Sequence, residues 1–316
     1  PKWLKEQLEN IGVGSISAIV DVTNYIAYSF GQPMHAYDAD KIKGNLTIDS
    51  LKSYEKIVAL NDKEYELGND DIVIKDDNKI HCLAGIIGSK DSACNQNTTR
   101  IQLEAACFNS KYIARTGRKL MIDTESRYRF ERHVDKEFTL KALNYAADLI
   151  LRICGGEASN LKIVGSDKVP VRTIDFPIDF FASRTGFNLS VEEIISILEK
   201  LGFICKNEKE TIHIIIPSWR YDVSIKEDIV EEIVRIYGYD KIPVATLPGS
   251  NMQKIINRQQ RRLIDIKRLL AGNGYTEVVT WSFMDSKKAK LFSETKEELI
   301  IQNPISAELD YMRPSI

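Results

Sequence analysis

The sequence predicts an α+β fold that is divided into more than one domain. Short segments in the first half alternate polar with apolar residues, which is the period of half-buried strands. Later segments carry apolar residues every three or four positions, which is the period of helices packed on a core. The length of 316 residues is enough for two or three cores, at about 150 residues for each domain.

Strands are predicted at 71–76 and 100–105, and a helix follows from about residue 138. In the second strand Ile101, Leu103 and Ala105 share one face, and Glu104 lies on the other. Glu104 can therefore reach a cleft or solvent while its strand is packed. The helix is expected to end at the glycine pair 155–156.

A domain boundary is predicted near residue 165, at a basic stretch that contains proline. Ser190 and Glu193 have the spacing of a capping box, which predicts the start of an amphipathic helix. An apolar strand is expected at 213–216. Ser224 and Glu227 repeat the capping-box spacing, so a second helix is expected to run to about residue 237.

The last part of the chain is predicted to begin with a linker. Residues 240–251 contain two prolines and no periodic apolar pattern. A helix is expected at 258–270, and the β-branched and aromatic residues of 276–283 predict a strand. The resulting division is 1–165, 166–243 and 244–316.

Composition narrows the class of protein. The 43 basic and 45 acidic side chains leave a net charge of −2, so bulk electrostatics does not require a nucleic-acid partner. Five cysteines without a C-x-x-C pair favour a reduced cytosol. No apolar stretch approaches the roughly 20 residues of a membrane helix. The start at Pro1, without a secretory leader, is typical of an excised fragment.

Four acidic residues surround the start of the second predicted helix: Asp222, Asp228, Glu231 and Glu232. Like charges this close repel one another, and Mg²⁺ would relieve the repulsion because it prefers carboxylate oxygen. Acids near a helix N-terminus are also favoured by the helix dipole and usually face solvent. The spacing alone favours the second interpretation.

A second set of polar residues is scattered along the first 132 positions. His35 follows a Gly-Gln-Pro turn and is a proton carrier, a stacking group or, most commonly, a structural hydrogen-bonding group. Gly85 and Gly88 match no phosphate-binding fingerprint. A basic series either meets phosphate or forms ion pairs on a solvated face: Arg115, Arg118, Lys119, Arg127, Arg129 and Arg132.

Five motifs, in the same order over nearly the whole length, resemble the phenylalanyl-tRNA synthetase beta chain of bacterial type. They are VDVTNY at 20–25, GQPMHAYD at 31–38, FER with a following VD at 130–135, GGE at 155–157, and PSWR at 217–220 leading to YGYDKIP at 237–243.

This resemblance implies a mixed α/β editing domain at 1–165 and a small helix-turn-helix-like α/β domain at 166–243. Residues 244–316 would contain a linker and the start of a class II synthetase-like module without catalytic residues. It further implies an alpha subunit as partner in an alpha2beta2 heterotetramer, tRNA(Phe) as substrate, a cytoplasmic location and no membrane contact. Aminoacylation is not expected from the fragment alone.

The resemblance also implies a site that hydrolyses tyrosine wrongly esterified to tRNA(Phe). His35 matches the motif histidine, Gly88 closes the pocket, and Glu104 recognises the tyrosine hydroxyl. Thr124 matches a pocket threonine, and Ser126 stands where many members have alanine. A buried acceptor distinguishes tyrosine from phenylalanine more strongly than shape does. The expected chemistry is ester hydrolysis by a positioned water, helped by backbone donors near Gly88 and the tRNA terminal hydroxyl.

The family's magnesium-binding acids fall on the four carboxylates named above, which implies magnesium as a cofactor there. The chain departs from the family at His133, where a glycine is usual, and at 88–93, where GSKDSA replaces Gly-Gly-x-x-Ser-Gly. Two other functions remain open. One is a non-enzymatic scaffold for the alpha subunit and tRNA with decayed editing. The other is a stand-alone nucleic-acid-binding protein, which the near-neutral charge disfavours.

Overall fold

The computed structural model describes residues 1–165, 169–245, 256–294 and 296–315. They form two compact units, Pro1–Ala245 and Thr246–Ile316. The prediction of an α+β class is confirmed, because helices and several small antiparallel sheets occur in both halves of the chain. None of the described helices is long and apolar enough to cross a membrane.

The first part of unit 1 contains five helices and eight strands among its described residues: α1 Lys2–Asn10, α2 Ala18–Phe30, β1 Met34–Asp38, β2 Thr47–Ser50, β3 Glu55–Val58, β4 Glu64–Leu67, β5 Ile72–Lys75, β6 Ile80–Leu83, β7 Ile87–Gly88, β8 Ile101–Ala105, α3 Ser110–Lys119, α4 Glu125–Phe130 and α5 Lys136–Cys154.

Three antiparallel sheets organise this part. β2, β5, β6 and β7 pair in that order, while β3 pairs with β4 and β1 pairs with β8. Helices α2 and α5 cover one face of the β1–β8 pair, where Leu103 packs against a core that includes Ile26 and Ala142. The other face is therefore left for polar residues, as the alternation along 100–105 predicts.

The end of α5 agrees with the prediction from the sequence. Gly155 follows the last helical residue with a φ of +73°, a backbone conformation that favours glycine. The helix begins at Lys136, two residues before the predicted start, because the Asp135 side chain accepts a hydrogen bond from the Glu137 N–H and caps it.

The second part of unit 1 has one three-stranded antiparallel sheet in the order β10-β11-β9, with helices packed on it. Its elements are β9 Arg172–Pro177, α6 Ile178–Thr185, α7 Val191–Lys200, β10 Ile204–Glu208, β11 Thr211–Ile216 and α8 Lys226–Tyr237. The capping box of Ser190 and Glu193 is confirmed. Phe176, Phe181 and Leu198 are fully buried in the core that these elements share.

The second predicted capping box is wrong by one residue. Helix α8 begins at Lys226, and Asp228 rather than Glu227 accepts hydrogen bonds from the backbone N–H groups of Ser224 and Ile225. Glu227 instead points outward and pairs with Arg184 at 3.3 Å. Periodicity locates a helix start to within a residue or two, and the packing of the preceding turn decides the rest.

Unit 2 contains α9 Arg258–Gly272, β12 Phe283–Met284, α10 Ser286–Ala289 and β13 Tyr311–Met312. The helix predicted at 258–270 is confirmed. The strand predicted at 276–283 is wrong except for its last residue, since Val278 and Val279 are 71% and 98% exposed and pair with no strand in the described ranges. β-propensity acts through packing on neighbouring strands, and Val278 and Val279 pack on none among the described residues. Half of the predicted linker, 246–251, lies outside the described residues.

Candidate functional site

A cavity of about 170 Å³ lies beside the polar face of the β1–β8 pair. Its walls are formed by Pro33, Met34, His35, Leu60, Cys82, Gly85, Ile86, Ile87, Gly88, Glu104, Phe108, Ser126 and Phe130. Four of the five residues that the sequence indicated for the editing pocket are therefore brought together: His35, Gly88, Glu104 and Ser126. The fifth, Thr124, does not line the cavity.

The β1–β8 register determines the centre of this site. His35 is directly opposite Glu104, and antiparallel partners project their side chains to the same face. Gly88, at the end of β7, lies against the imidazole so closely that a Cβ atom there would be 2.4 Å from His35 Cε1. A residue without a side chain is therefore required where β7 passes the histidine.

Glu104 is a carboxyl group held among uncharged neighbours. Its Oε2 accepts a hydrogen bond from the Tyr37 hydroxyl at 2.5 Å, and no ion pair to it is found in the described part of the chain. Burial raises the pKa of Glu104 to about 7, and the Tyr37 hydrogen bond opposes that rise. Part of the side chain still faces the cavity, so the carboxyl remains open to a ligand.

His35 is held as a neutral imidazole. Burial lowers the pKa of His35 to about 4, because the charged form is poorly solvated inside the protein. Its Nε2 atom is buried and has no hydrogen-bond partner among the described residues. Buried polar atoms without partners are uncommon in folded proteins, so this nitrogen is available to a bound molecule.

Thr124 and Ser126 shape the cavity from behind. The Thr124 hydroxyl donates to the carbonyl of Ile86 at 2.8 Å, and its oxygen caps α4 by accepting from the Arg127 N–H at 3.1 Å. The Ser126 hydroxyl donates to the carbonyl of Gly85 at 3.2 Å. Both hydroxyls therefore tie α4 to the 85–86 turn, and Ser126 also forms part of the wall.

The sequence did not single out Tyr37 or Cys82. Tyr37 is fully buried and donates a hydrogen bond to Glu104. Cys82 lines the cavity, and burial raises the pKa of its thiol. The one available signal was the position of Tyr37 two residues after His35, which places both side chains on the same strand face.

Most of the basic series is occupied by ion pairs. Arg127 and Arg132 contact Glu131, Arg129 contacts Glu125, Lys119 contacts Asp71, and Arg115 contacts Asp70. These contacts agree with the interpretation of the series as ion pairs rather than a phosphate site, but Arg127 and Arg129 are largely buried and do not form a solvated face.

His133, which stands where the family usually has glycine, has a φ of +70°. Its ring stacks on Tyr221 with centroids 4.7 Å apart, and its Nε2 is 3.3 Å from the Ser110 hydroxyl. The backbone conformation there costs a non-glycine residue free energy, which these contacts offset.

The four acids proposed to hold magnesium do not converge on one point. The Arg220 guanidinium lies between two of them, with 2.6 Å from Nη2 to Asp222 Oδ2 and 2.7 Å to Glu232 Oε1. Asp228 caps α8 through backbone N–H groups, and Glu231 is exposed. No group of three or more suitable ligands occurs in the described ranges. Arg220 pairs with Asp222 and Glu232, and Asp228 caps α8, so in this arrangement the residues do not fit a metal. The magnesium site stays a prediction that these contacts do not support.

Replacing Arg220 with glutamine is expected to lower the free energy of unfolding by about 2 kcal/mol, because Glu232 is 7% exposed and would lose its main counter-charge. The matched control is Arg184→Gln, which removes an ion pair with both side chains more than half exposed and is expected to change stability by less than about 0.5 kcal/mol. Urea unfolding of the chain measures both. Equal effects would contradict the structural role given to Arg220.

Three family models match successive segments of the chain. Family models match the chain as a B3/4 domain over residues 1–155, a tRNA synthetase B5 domain over 174–239, and a phenylalanyl tRNA synthetase beta chain CLM domain over 242–316.

Curated relatives match over the whole chain. The phenylalanine–tRNA ligase beta subunit of Rickettsia conorii is 49% identical across 100% of this chain and 42% of its own length. That of Brucella suis is 42% identical across 100% of this chain and 40% of its own length. The chain thus spans about two fifths of the relatives that it matches.

A solved N-terminal fragment of the phenylalanyl-tRNA synthetase beta-subunit from Pyrococcus horikoshii is 17% identical, with a TM-score of 0.38 over 70% of this chain and 65% of that one, a likeness too low to support an argument. The three family models follow one another along nearly the whole sequence, and the relatives match it from end to end. The chain belongs to the family of phenylalanine–tRNA ligase beta subunits.

Proposed function

We propose that this chain forms the editing part of a phenylalanine–tRNA ligase and hydrolyses tyrosine that has been wrongly attached to tRNA(Phe). The observation that carries the proposal is the Glu104 carboxyl group, which faces the cavity opposite His35 without a neutralising cation in the described part of the chain. Such a group selects a ligand that brings its own hydrogen-bond donor.

Selection rests on one hydroxyl. Tyrosine and phenylalanine have the same ring, so apolar walls such as Phe108 and Phe130 accept both. A phenol donates to the free oxygen of Glu104, since the described residues provide a hydrogen bond only to Oε2. A phenyl ring would bury Oε1 of Glu104 without a donor, which is unfavourable. Glu104 is thus the tyrosine-specific acceptor.

Hydrolysis is assigned to water positioned beside His35. Water adds to the ester carbonyl, the bond from the carbonyl carbon to the ribose oxygen breaks, and that oxygen takes a proton to restore the tRNA hydroxyl. The neutral imidazole offers its unpartnered Nε2 to the water or to the ester. The N–H groups of Ile86 and Ser89 donate to the Leu83 and His81 carbonyls, so these two are not available as backbone donors near Gly88.

The remaining assignments follow from the family. The names of the relatives describe a ligase subunit, and we assign to the whole protein an alpha subunit in an alpha2beta2 assembly, tRNA(Phe) and a cytoplasmic location. ATP-dependent charging belongs to the alpha subunit in this proposal. No magnesium is assigned to the acids around α8, because Arg220 pairs with Asp222 and Glu232 while Asp228 caps the helix.

The test is deacylation of purified Tyr-tRNA(Phe) by the complete ligase. Glu104→Ala is expected to lower kcat/KM about 30-fold, because the tyrosine hydroxyl loses its acceptor. Gln102→Ala is the matched control, since Gln102 lies on the same strand and is exposed, and it should leave the rate unchanged. Normal deacylation by Glu104→Ala would instead support a scaffold whose editing has decayed.

A further inference from the structure

Tyr37 is the residue most tightly coupled to Glu104, although it does not line the cavity. Its side chain is fully buried, and its hydroxyl is 2.5 Å from Glu104 Oε2. Strand pairing places Glu104 opposite His35 and Gln102 opposite Tyr37. Glu104 is therefore the diagonal neighbour of Tyr37 on the adjacent strand, at a distance that a long aromatic side chain reaches. The contact therefore follows from the register of the sheet.

The Tyr37 ring has little freedom to move. It packs edge-on against the His35 ring with centroids 4.4 Å apart and lies 6.3 Å from the His81 ring centroid. A bridge between Tyr37 and Ala93 fixes its backbone on the side away from β8. Because the Tyr37 hydroxyl is fixed in place, the Glu104 carboxyl group keeps this hydrogen bond only in a narrow range of orientations.

The hydrogen bond also makes the two carboxyl oxygens of Glu104 different from each other. Oε2 is taken by Tyr37, and no hydrogen bond to Oε1 occurs between the described residues. The phenol of Tyr37 is therefore already hydrogen-bonded to Glu104, and Oε1 of the same carboxyl group is left to accept from the phenol of a ligand. A charged acceptor with one internal donor costs less to desolvate than a bare one.

We infer that Tyr37 is a positioning residue for tyrosine-specific hydrolysis: its hydroxyl holds Oε2 of Glu104 so that Oε1 faces the amino-acid side chain in the cavity. This inference rests on the proposed function. It assigns no contact between Tyr37 and the substrate, and Tyr37 acts only through Glu104.

Replacing Tyr37 with phenylalanine in the complete ligase tests it. We expect kcat/KM for Tyr-tRNA(Phe) deacylation to fall about 10-fold, as for loss of a hydrogen bond to a charged group. Because that hydrogen bond lowers the pKa of Glu104, the low-pH limb of the rate profile should move to higher pH. A merely structural role would lower the rate without moving the limb.

Two further variants separate the possible failures. Tyr65→Phe removes a hydroxyl bonded to the exposed Asn61 and should change neither the rate nor the profile. In a Glu104→Gln background, Tyr37→Phe should add almost no further loss, because the two residues act as one unit.

An unchanged rate and profile in Tyr37→Phe, or a full additional loss in the Glu104→Gln background, would overturn the role of Tyr37 while leaving the editing proposal intact. If Glu104→Gln itself left deacylation unaffected, the proposed function would fall, and this inference with it.

Discussion

Replacing Gly88 with alanine is expected to lower kcat/KM for Tyr-tRNA(Phe) deacylation by about 100-fold or more. A Cβ atom at this position would lie 2.4 Å from Cε1 and 2.7 Å from Nε2 of His35, and Leu60 closes another side at 3.2 Å. Close-packed interiors do not absorb such a conflict without movement. The imidazole would have to leave its place opposite Glu104, and the cavity would lose its centre.

Two controls isolate the cause of this loss. Gly14→Ala introduces the same methyl group where nothing lies within 4 Å, so its rate should match the parent. In a His35→Ala background the Gly88 substitution should have little further effect, because no ring remains to be displaced. Deacylation kinetics and thermal unfolding of each variant give the readouts. A folded Gly88→Ala enzyme with parental activity would rule out this cavity as the reaction site.

Replacing Glu104 with glutamine is expected to stabilise the protein at alkaline pH while it impairs the reaction. Burial raises the pKa of Glu104 from 4.5 to about 7, so the carboxyl group ionises less readily in the folded state than in the unfolded chain. The resulting loss in the free energy of unfolding is absent below pH 4.5, grows between pH 4.5 and 7, and is complete above pH 7. Its full size is on the order of 3 kcal/mol.

Urea unfolding at pH 8.5 and at pH 4 measures the difference between Glu104→Gln and the parent chain. We expect Glu104→Gln to be more stable by about 2 to 3 kcal/mol at pH 8.5 and nearly equal to the parent at pH 4. His35 contributes its own pH dependence, since burial lowers its pKa to about 4, but this contribution is common to both proteins. Equal stability at both pH values would mean that Glu104 is solvated rather than enclosed.

The cavity site lowers the free energy of unfolding of the protein that contains it. Among the described residues the Glu104 carboxyl group has no counter-ion and the His35 Nε2 atom has no hydrogen-bond partner, and both lower the stability of the fold. Each is useful only when a donor or acceptor arrives from a ligand. Proteins commonly keep such unsatisfied groups at functional sites, where stability and activity conflict.

The β8 strand shows how far the sequence predicts this site. Alternation along 100–105 assigned Glu104 to the polar face, and Leu103 and Ile101 do pack on the helices behind the sheet. The period of two is a property of the extended backbone, so it needs no knowledge of neighbours. The capping box at Ser190 succeeded for the same reason, because its contacts span three residues.

Contacts between distant segments are the part of the site that the sequence did not predict. Thr124 is a helix cap behind the wall rather than a cavity residue, because α4 starts there and packs on the 85–86 turn. Asp222 and Glu232 pair with Arg220, which reaches α8 from the preceding turn, and Asp228 caps the helix. Spacing along one helix gives the distances within that helix and says nothing about a side chain that enters from outside it.

The sequence by itself determined the family of this chain, the face on which Glu104 lies and the approximate extent of four of the ten described α-helices. Only the tertiary structure decided that Gly88 lies against His35 and that Tyr37 donates a hydrogen bond to Glu104, 67 positions away. It also decided that Arg220, in the turn before α8, pairs with Glu232. Local periodicity follows from backbone geometry. Contacts between remote residues depend on strand register and close packing, which arise only when the whole fold excludes water.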